Sequence, residues 1–508
     1  MGAGVRQGCP LSPLLFVVAM DGLLRRFRRE IPQCTPRAYA DDTAIVLRDL
    51  IRDLPTASSI FAELAVASRL TLNFPKCILM PLGAEEPEVF RPHLRDCCPQ
   101  WAGMTVTDKG KYLGVILGPG RGQESWSGPL QKAWERVLAW EWGPLGLQYS
   151  ARVWNTFILP VLTFVAQVEQ PPPAVIKETE AMLRKAAVGP RDWCTADDMY
   201  HLRRSYHFNV EFRDLRTSAQ AAMLRVATWE DESHGGLRIR ERARHLRTRP
   251  RRMQDYFSIA RFQRFETWYQ SSPLLQLSST CADLTDLGVT ATQIIQDLTH
   301  PEPRPGRQPI AQRARVSFQK AAHAAILTHT TYVAEHRVRY NLRRFGCLDR
   351  RQVDRSLRRL RELAGRVPPR VWAATHGVLW NRWATGRRRQ RRSMPCMLGC
   401  RDGHDAIEHY AYCREVRSFA ASQLGLQFRF GTPLEEWLLT TPQHRDAAAD
   451  EHWWDKLALL QYAVNRATCG VRSHGGPHPG LSAPRLLRQA TYEGARGNAR
   501  LLAAAFGS

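Results

Sequence analysis

The 508-residue chain lacks any long apolar run. A membrane-spanning helix needs on the order of 18 consecutive apolar residues, whereas the run Leu14 to Met20 stops at seven. No charged-then-apolar leader precedes a small-residue cleavage site, and Gly2 is not followed by the Ser or Thr that myristoylation requires. These absences predict an intracellular protein, nuclear or cytoplasmic, with no membrane partner. Cysteine is scattered through the first 350 residues apart from Cys97-Cys98, which excludes a disulfide framework. Acidic residues are also in short supply, 48 against 72 Lys plus Arg, for a net charge of +24. Such an excess repels itself in a compact state unless a polyanion neutralises it, and nucleic acid is the commonest candidate. What is present is ordinary: 44% hydrophobic and 24% charged residues predict a folded chain of two to four domains.

Pro13 suits a first helical turn, and apolar residues at 16, 20, 23, 24 and 27 keep a helical period. Residues 36 to 47 read as a hairpin, with Arg37–Ala40 and Thr43–Leu47 as strands and Asp41-Asp42 as the turn. Residues 56–69 are expected to be helical, 70–82 extended, and 111–117 a short strand closed by Gly118-Pro119-Gly120. From Trp126 the pattern becomes helical, with Leu130, Ala133, Trp134, Val137 and Leu138 on the core-facing stripe. Pro301, Pro303, Pro305, Gly306 and Pro309 mark an interdomain linker over 299–309. Trp372, Trp380 and Trp383 are expected in the core.

Tyr39-Ala40-Asp41-Asp42 is the most informative tetrapeptide. Two adjacent carboxylates on a turn cannot both be buried, because each unpaired buried charge costs several kcal/mol. They face water or a cation. Two divalent ions roughly 3.5–4 Å apart are the usual apparatus of phosphoryl transfer, although an isolated Asp-Asp pair is more often a solvated turn. Upstream stands Arg6-Gln7-Gly8-Cys9-Pro10-Leu11-Ser12-Pro13-Leu14-Leu15-Phe16, and downstream come Asn73-Phe74-Pro75-Lys76 and Lys111-Tyr112-Leu113-Gly114-Val115-Ile116-Leu117-Gly118. In order and distance these four segments resemble motifs B, C, D and E of reverse transcriptases from non-long-terminal-repeat retrotransposons.

The resemblance implies RNA-directed DNA polymerisation by a two-Mg²⁺ mechanism during target-primed insertion. RNA template, DNA primer or target and deoxynucleoside triphosphates would be the partners. Asp41 would be the stricter metal ligand and Asp42 its looser neighbour. Gln7, Gly8 and Ser12 would flank template and incoming nucleotide, Tyr39 and Ala40 the primer end and sugar, and Lys76 the leaving pyrophosphate. Tyr112, Leu113 and Gly114 would belong to the primer grip. In this family a third metal-binding Asp lies in motif A, upstream of motif B, together with the fingers. The sequence starts at motif B, so an amino-terminally truncated polymerase is expected. Asp21 falls on a helix instead and reads as a solvated residue.

A second signal is Cys396-x3-Cys400-x8-His409-x3-Cys413. Two pairs of soft or borderline ligands around a short loop suit tetrahedral Zn²⁺, and the resemblance places a zinc knuckle after the thumb. His404 is an alternative to His409. The span of 18 residues predicts an element that needs no upstream ligand. Arg387, Arg388, Arg389, Arg391 and Arg392 precede it, and Arg238–Arg252 is also Arg-rich; both read as phosphate-backbone contacts. The 95 residues after Cys413 contain no Pro-Asp dipeptide, so no nuclease is expected. The predicted fold class is α+β: a partial palm (1–120), helical thumb (121–230), basic helical connector (231–298), linker (299–309), helical basic region (310–394), zinc knuckle (395–415) and carboxy-terminal tail (416–508).

Overall fold

The computed structural model describes residues 10–83, 86–190, 192–230, 237–247, 254–299, 318–329, 331–346, 349–389, 394–401, 403–428, 432–442, 452–477, 480 and 482–507. Of the linker predicted over 299–309, Thr299 ends the helix Ala291–Thr299 and residues 300–309 lie outside the described residues, as do Gln7, Gly8, Arg391 and Arg392. The described chain is helix-rich with three two-stranded sheets, an α+β composition. It divides into two compact units. One comprises 1–129, 164–171 and 219–325, the other 130–163, 172–218 and 326–508.

In the first unit, helix α1 (Ser12–Glu30) has Pro13 in its opening turn. It buries Met20, Leu23 and Phe27, spaced by three and four residues so that they share one face. A hairpin follows, β1 (Thr35–Tyr39) and β2 (Asp42–Val46), with Tyr39 paired to Asp42. The turn is therefore Ala40-Asp41, one residue earlier than expected, and Asp42 opens the second strand. Helix α2 (Leu50–Ser68) starts six residues before its predicted boundary of 56, because the Asp49 side chain caps it by accepting from the Arg52 amide at 3.1 Å. Pro55 is carried inside it.

The segment expected to be extended over 70–82 is a single 3₁₀ turn (Phe74–Lys76) followed by β3 (Ile78–Leu79). Helix α3 (Pro87–Cys97) leads to β4 (Thr105–Val106), which pairs with β3 in parallel. Phe27, Phe61 and Trp101 form the aromatic centre of this core, with ring centroids 5.3 and 5.9 Å apart.

The predicted single strand at 111–117 is instead a hairpin, β5 (Gly110–Tyr112) and β6 (Val115–Leu117). Its two-residue turn places Leu113 at φ 47° and Gly114 at φ 83°. Positive φ at both central positions is the turn whose twist matches that of the flanking strands. Gly118 and Gly120 then pack on Asp108, leaving no room for a side chain at either position. Helix Glu124–Ala139 buries Trp126, Ala133 and Val137, but Leu138 is exposed, a correction to the predicted stripe.

The second unit is helical. Trp372, Trp380, Trp383 and Trp437 are all buried in it, as are Tyr206, Phe208 and Tyr410. Helices Arg350–Arg366, Pro369–Leu379, Trp453–Ser473 and Ala483–Ala495 pack on one another, and the helix Ile407–Tyr412 packs on Arg414–Leu424 and Pro433–Trp437.

Candidate functional site

Asp41 and Asp42 lie at the tip of the β1–β2 hairpin, both exposed. Ala40 takes φ 50° to make the turn this tight, a conformation that disfavours a β-carbon. Tyr39 is exposed beside them. Among the described residues neither aspartate makes an ion pair, and no third carboxylate, His or Cys joins them in a metal-sized cluster. Asp21 is paired with Arg25 on α1 at 2.6 Å, the solvated helix contact expected of it. The hairpin can offer two carboxylates to a cation and nothing more from this set.

Ser12 opens α1, Lys76 ends the 3₁₀ turn with its side chain exposed, Tyr112 closes β5, and Leu113 and Gly114 form the β5–β6 turn. Gly114 packs against Phe164: a β-carbon there would stand 3.0 Å from Cε1 of that ring. Arg387 and Arg389 are exposed, and Arg388 is half-buried. Arg387 pairs with Glu408 at 3.3 Å.

The second cluster is far better defined. Cys396, Cys400, His409 and Cys413 bring their ligand atoms within 4.8 Å of one another. Cys396 Sγ and Cys413 Sγ are 3.8 Å apart, and Cys400 Sγ lies 3.2 Å from His409 Nε2. Bonds of about 2.3 Å to sulfur in a tetrahedron imply sulfur–sulfur edges of about 3.8 Å. The donor set and its dimensions therefore fit a tetrahedral metal ion. The shared thiol hydrogen bond with Cys413, then burial, pushes the Cys396 thiol up to about 12. Without a cation this arrangement opposes the thiolate; a cation would reverse that. His404 is exposed in a bridge with Pro395 and is not part of the cluster, which removes it as the fourth ligand.

Local sequence explains how the four meet. Gly399, at φ 80°, turns the chain between the first two cysteines. Helix Ile407–Tyr412 places His409 about one turn before Cys413, whose amide donates to the His409 carbonyl at 2.8 Å. Gly403 was not anticipated. A β-carbon on it would lie 2.0 Å from Nδ1 of His409, so only glycine leaves space for the imidazole. Asp405 was also missed. It is fully buried and accepts from Arg472 at 2.7 and 2.9 Å, from Tyr410 Oη at 2.6 Å and from the Gly386 amide at 2.7 Å. No short-range pattern links Asp405 to an arginine 67 residues away.

The ligands are local but their packing is not. Met397, Leu398, Ile407 and Tyr410 are buried, Tyr410 beside Trp383, and the helix Ile407–Tyr412 packs on the helix Pro433–Trp437.

With this geometry in view, comparison with known proteins adds a family match over part of the chain. Residues 2–117 match the reverse transcriptase (RNA-dependent DNA polymerase) family. Those residues contain the Asp41-Asp42 hairpin and the β5–β6 turn. A stretch of 125 residues, 23% of the chain, is 33% identical to the Transposon TX1 uncharacterized 149 kDa protein of Xenopus laevis. It covers 9% of that protein's length. No solved structure matches. No described helix is long and apolar enough to cross a membrane.

Proposed function

We propose that the chain is part of a non-long-terminal-repeat retrotransposon reverse transcriptase, carrying the palm from motif B onward and the region carboxy-terminal to it. The observation that carries this reading is the reverse transcriptase match over residues 2–117, within which a tight hairpin holds Asp41 and Asp42 exposed at its tip. In this reading Asp41 and Asp42 bind Mg²⁺, Tyr39, Ala40, Ser12, Gln7 and Gly8 face nucleotide and template, and Lys76 neutralises the leaving pyrophosphate. Tyr112, Leu113 and Gly114 grip the primer. Residues 121–230 act as thumb and 231–298 as connector. Cys396, Cys400, His409 and Cys413 hold structural Zn²⁺, and the Arg387–Arg392 stretch contacts phosphates.

A third metal-binding carboxylate and the fingers would come from additional polypeptide. Leu14, Val17 and Val18 support this: they are exposed together on α1, an apolar face of the kind that packs on another surface. A second reading is a non-catalytic nucleic-acid-binding remnant. It is favoured by the absence of a third carboxylate near Asp41 and Asp42 among the described residues.

Primer extension on an RNA template with Mg²⁺ separates the two. The chain is assayed alone and joined to the motif A strand and fingers of a related element. Extension by the joined protein that is abolished by Asp41→Asn, and weakened less by Asp42→Asn, supports the polymerase. Equal extension by wild type and Asp41→Asn refutes the metal assignment. No extension by a folded, nucleic-acid-binding joined protein favours the remnant.

A further inference from the structure

The carboxylate of Asp405 has no free capacity. Oδ1 accepts from Tyr410 Oη and Arg472 Nη2, and Oδ2 accepts from the Gly386 amide and Arg472 Nε. A carboxylate has about four lone-pair sites, and all four are used. Asp405 therefore holds other groups in place and has nothing left for a cation or a substrate. Those groups belong to three different parts of the second unit.

The first is the metal helix, because Tyr410 sits between the candidate ligands His409 and Cys413. The second is the basic turn. Besides the Gly386 amide, the Arg387 amide donates to the Asp405 carbonyl at 3.0 Å, and Arg388 and Arg389 follow with their amides bonded to Thr385. The third is the helix Trp453–Ser473, through Arg472. The Asp405 amide also donates to the Met394 carbonyl at 3.0 Å, and the Cys396 amide donates to the Gly403 carbonyl at the same distance. The strand of chain carrying the first ligand is thus tied to the strand carrying Asp405.

We propose that Asp405 is a positioning residue that couples metal occupancy of the Cys396, Cys400, His409, Cys413 cluster to the presentation of the Gly386–Arg389 turn for binding nucleic-acid phosphates. Metal binding fixes the spacing of the first two ligands and the orientation of the Ile407–Tyr412 helix. Tyr410 and the backbone of 394–405 pass that constraint to Asp405. Asp405 in turn fixes two consecutive amides, and with them the direction in which Arg387 leaves the surface. Arg472 anchors the node to a long, well-packed helix, so that displacing the turn means breaking a buried, bidentate charge pair. The proposal rests on the reading that Arg387–Arg389 contact phosphates.

The experiment uses the full chain, loaded with Zn²⁺ or stripped by a chelator, and a single-stranded RNA of arbitrary sequence titrated across a range of salt. In the wild type, stripping zinc should lower affinity and reduce the slope of log K against log salt by about one contact's worth, roughly 0.7. In Tyr410→Phe, which keeps the ring and removes one bond to Asp405, zinc should be lost to a competing chelator about tenfold more readily. The zinc-loaded variant should already bind RNA with the reduced slope, and stripping should add little. Asp405→Asn should show the same pattern more strongly if it folds; Tyr410→Phe carries the test if it does not. Wild-type RNA binding that ignores zinc overturns the coupling alone, as does a Tyr410→Phe protein that keeps the full zinc dependence. Absence of any salt-dependent RNA binding by the zinc-loaded wild type overturns the phosphate-contact reading and the coupling with it.

Discussion

Gly403→Ala isolates the histidine ligand without touching a ligand. A β-carbon at 403 would stand 2.0 Å from Nδ1, 2.2 Å from Cε1 and 2.8 Å from Cγ of His409. Ordinary contact begins at 3.4 Å, so one partner must retreat by more than an ångström. The backbone at 403 is tied, since its carbonyl accepts the Cys396 amide and the next residue bridges to Pro395. The imidazole is therefore what moves. Metal–ligand distances tolerate only about 0.2 Å, so Nε2 leaves the coordination shell and three thiols remain. Changes to groups that merely support a ligand cost about 10- to 100-fold in affinity. Displacing the ligand itself should reach the upper end of that range or beyond, about 2.8 kcal/mol for 100-fold. Competition against a chromophoric chelator measures the loss, and the Co²⁺ absorption bands should change shape as nitrogen is lost. His409→Ala added to Gly403→Ala should weaken binding little further, because both remove the same bond. A Gly403→Ala protein that holds Zn²⁺ as the wild type does would refute the assignment of His409 and the geometry around it.

Three other outcomes follow from burial and backbone. His376 is fully buried between Trp372 and Trp380, with centroids 4.9 and 4.0 Å away, and neither ring nitrogen has a hydrogen-bond partner among the described residues. Burial, reinforced by Arg382 and Arg337, holds it well below the usual imidazole range. It is neutral when folded and takes up a proton on unfolding. Stability should hold above about pH 6.5 and decline below it by up to about 1.4 kcal/mol per pH unit. His376→Leu should flatten that decline in urea titrations at about pH 7.5 and about pH 5.5, leaving the smaller part due to His201, which burial also lowers; an unchanged decline would contradict it. Arg121 and Glu169 form a buried pair at 2.9 Å, with Trp126 donating to the same carboxylate. Glu169→Gln should cost about 3–5 kcal/mol in thermal unfolding, and Arg121→Met combined with Glu169→Leu should recover most of it. Gly118→Ala should destabilise by about 3 kcal/mol and Gly114→Ala by about 1 kcal/mol. Both glycines have positive φ, but at 118 the β-carbon would meet the Asp108 carbonyl at 2.3 Å, whereas at 114 it would meet the edge of a ring at 3.0 Å.

Where the sequence was legible, the signal was local. The α1 period, the Asp41-Asp42 hairpin and the Cys3His spacing each depend on residues within about one element of each other, so pattern and structure agree to within a residue or two. The boundary errors have local causes too. The Asp49 cap places the start of α2 six residues before 56, and Leu113-Gly114 makes a turn that reads as a strand until positive φ is considered at both positions. What could not be read was long-range. Arg472, Trp437 and Trp383 meet the metal element only in space, the first two 59 and 24 residues after Cys413 and the third 13 residues before Cys396, and no spacing rule connects them. The element that looked self-sufficient from its 18-residue span has its anchor elsewhere in the chain.

The same distinction governs the charge. A net +24 invites the inference that the arginines form one large nucleic-acid footprint. Many of them instead point at backbone carbonyls near helix ends, where the last turn leaves acceptors without partners. Arg355 and Arg359 donate to the carbonyls of Thr440 and Leu439 at 2.6 and 2.9 Å, just past the helix Pro433–Trp437. Arg361 donates to Ser205, Arg370 to Glu493 and Arg382 to Val188, each within two residues of a helix terminus. A guanidinium is suited to this role because its several donors reach past an apolar stem to a carbonyl at the negative end of the helix dipole. These charges are committed to the fold before any ligand arrives. The arginines left for phosphates are those whose side chains face water, such as Arg387 and Arg389 before the metal cluster and Arg414 and Arg417 after it. The salt dependence of binding should therefore follow those exposed arginines that meet a phosphate, since only they release counterions.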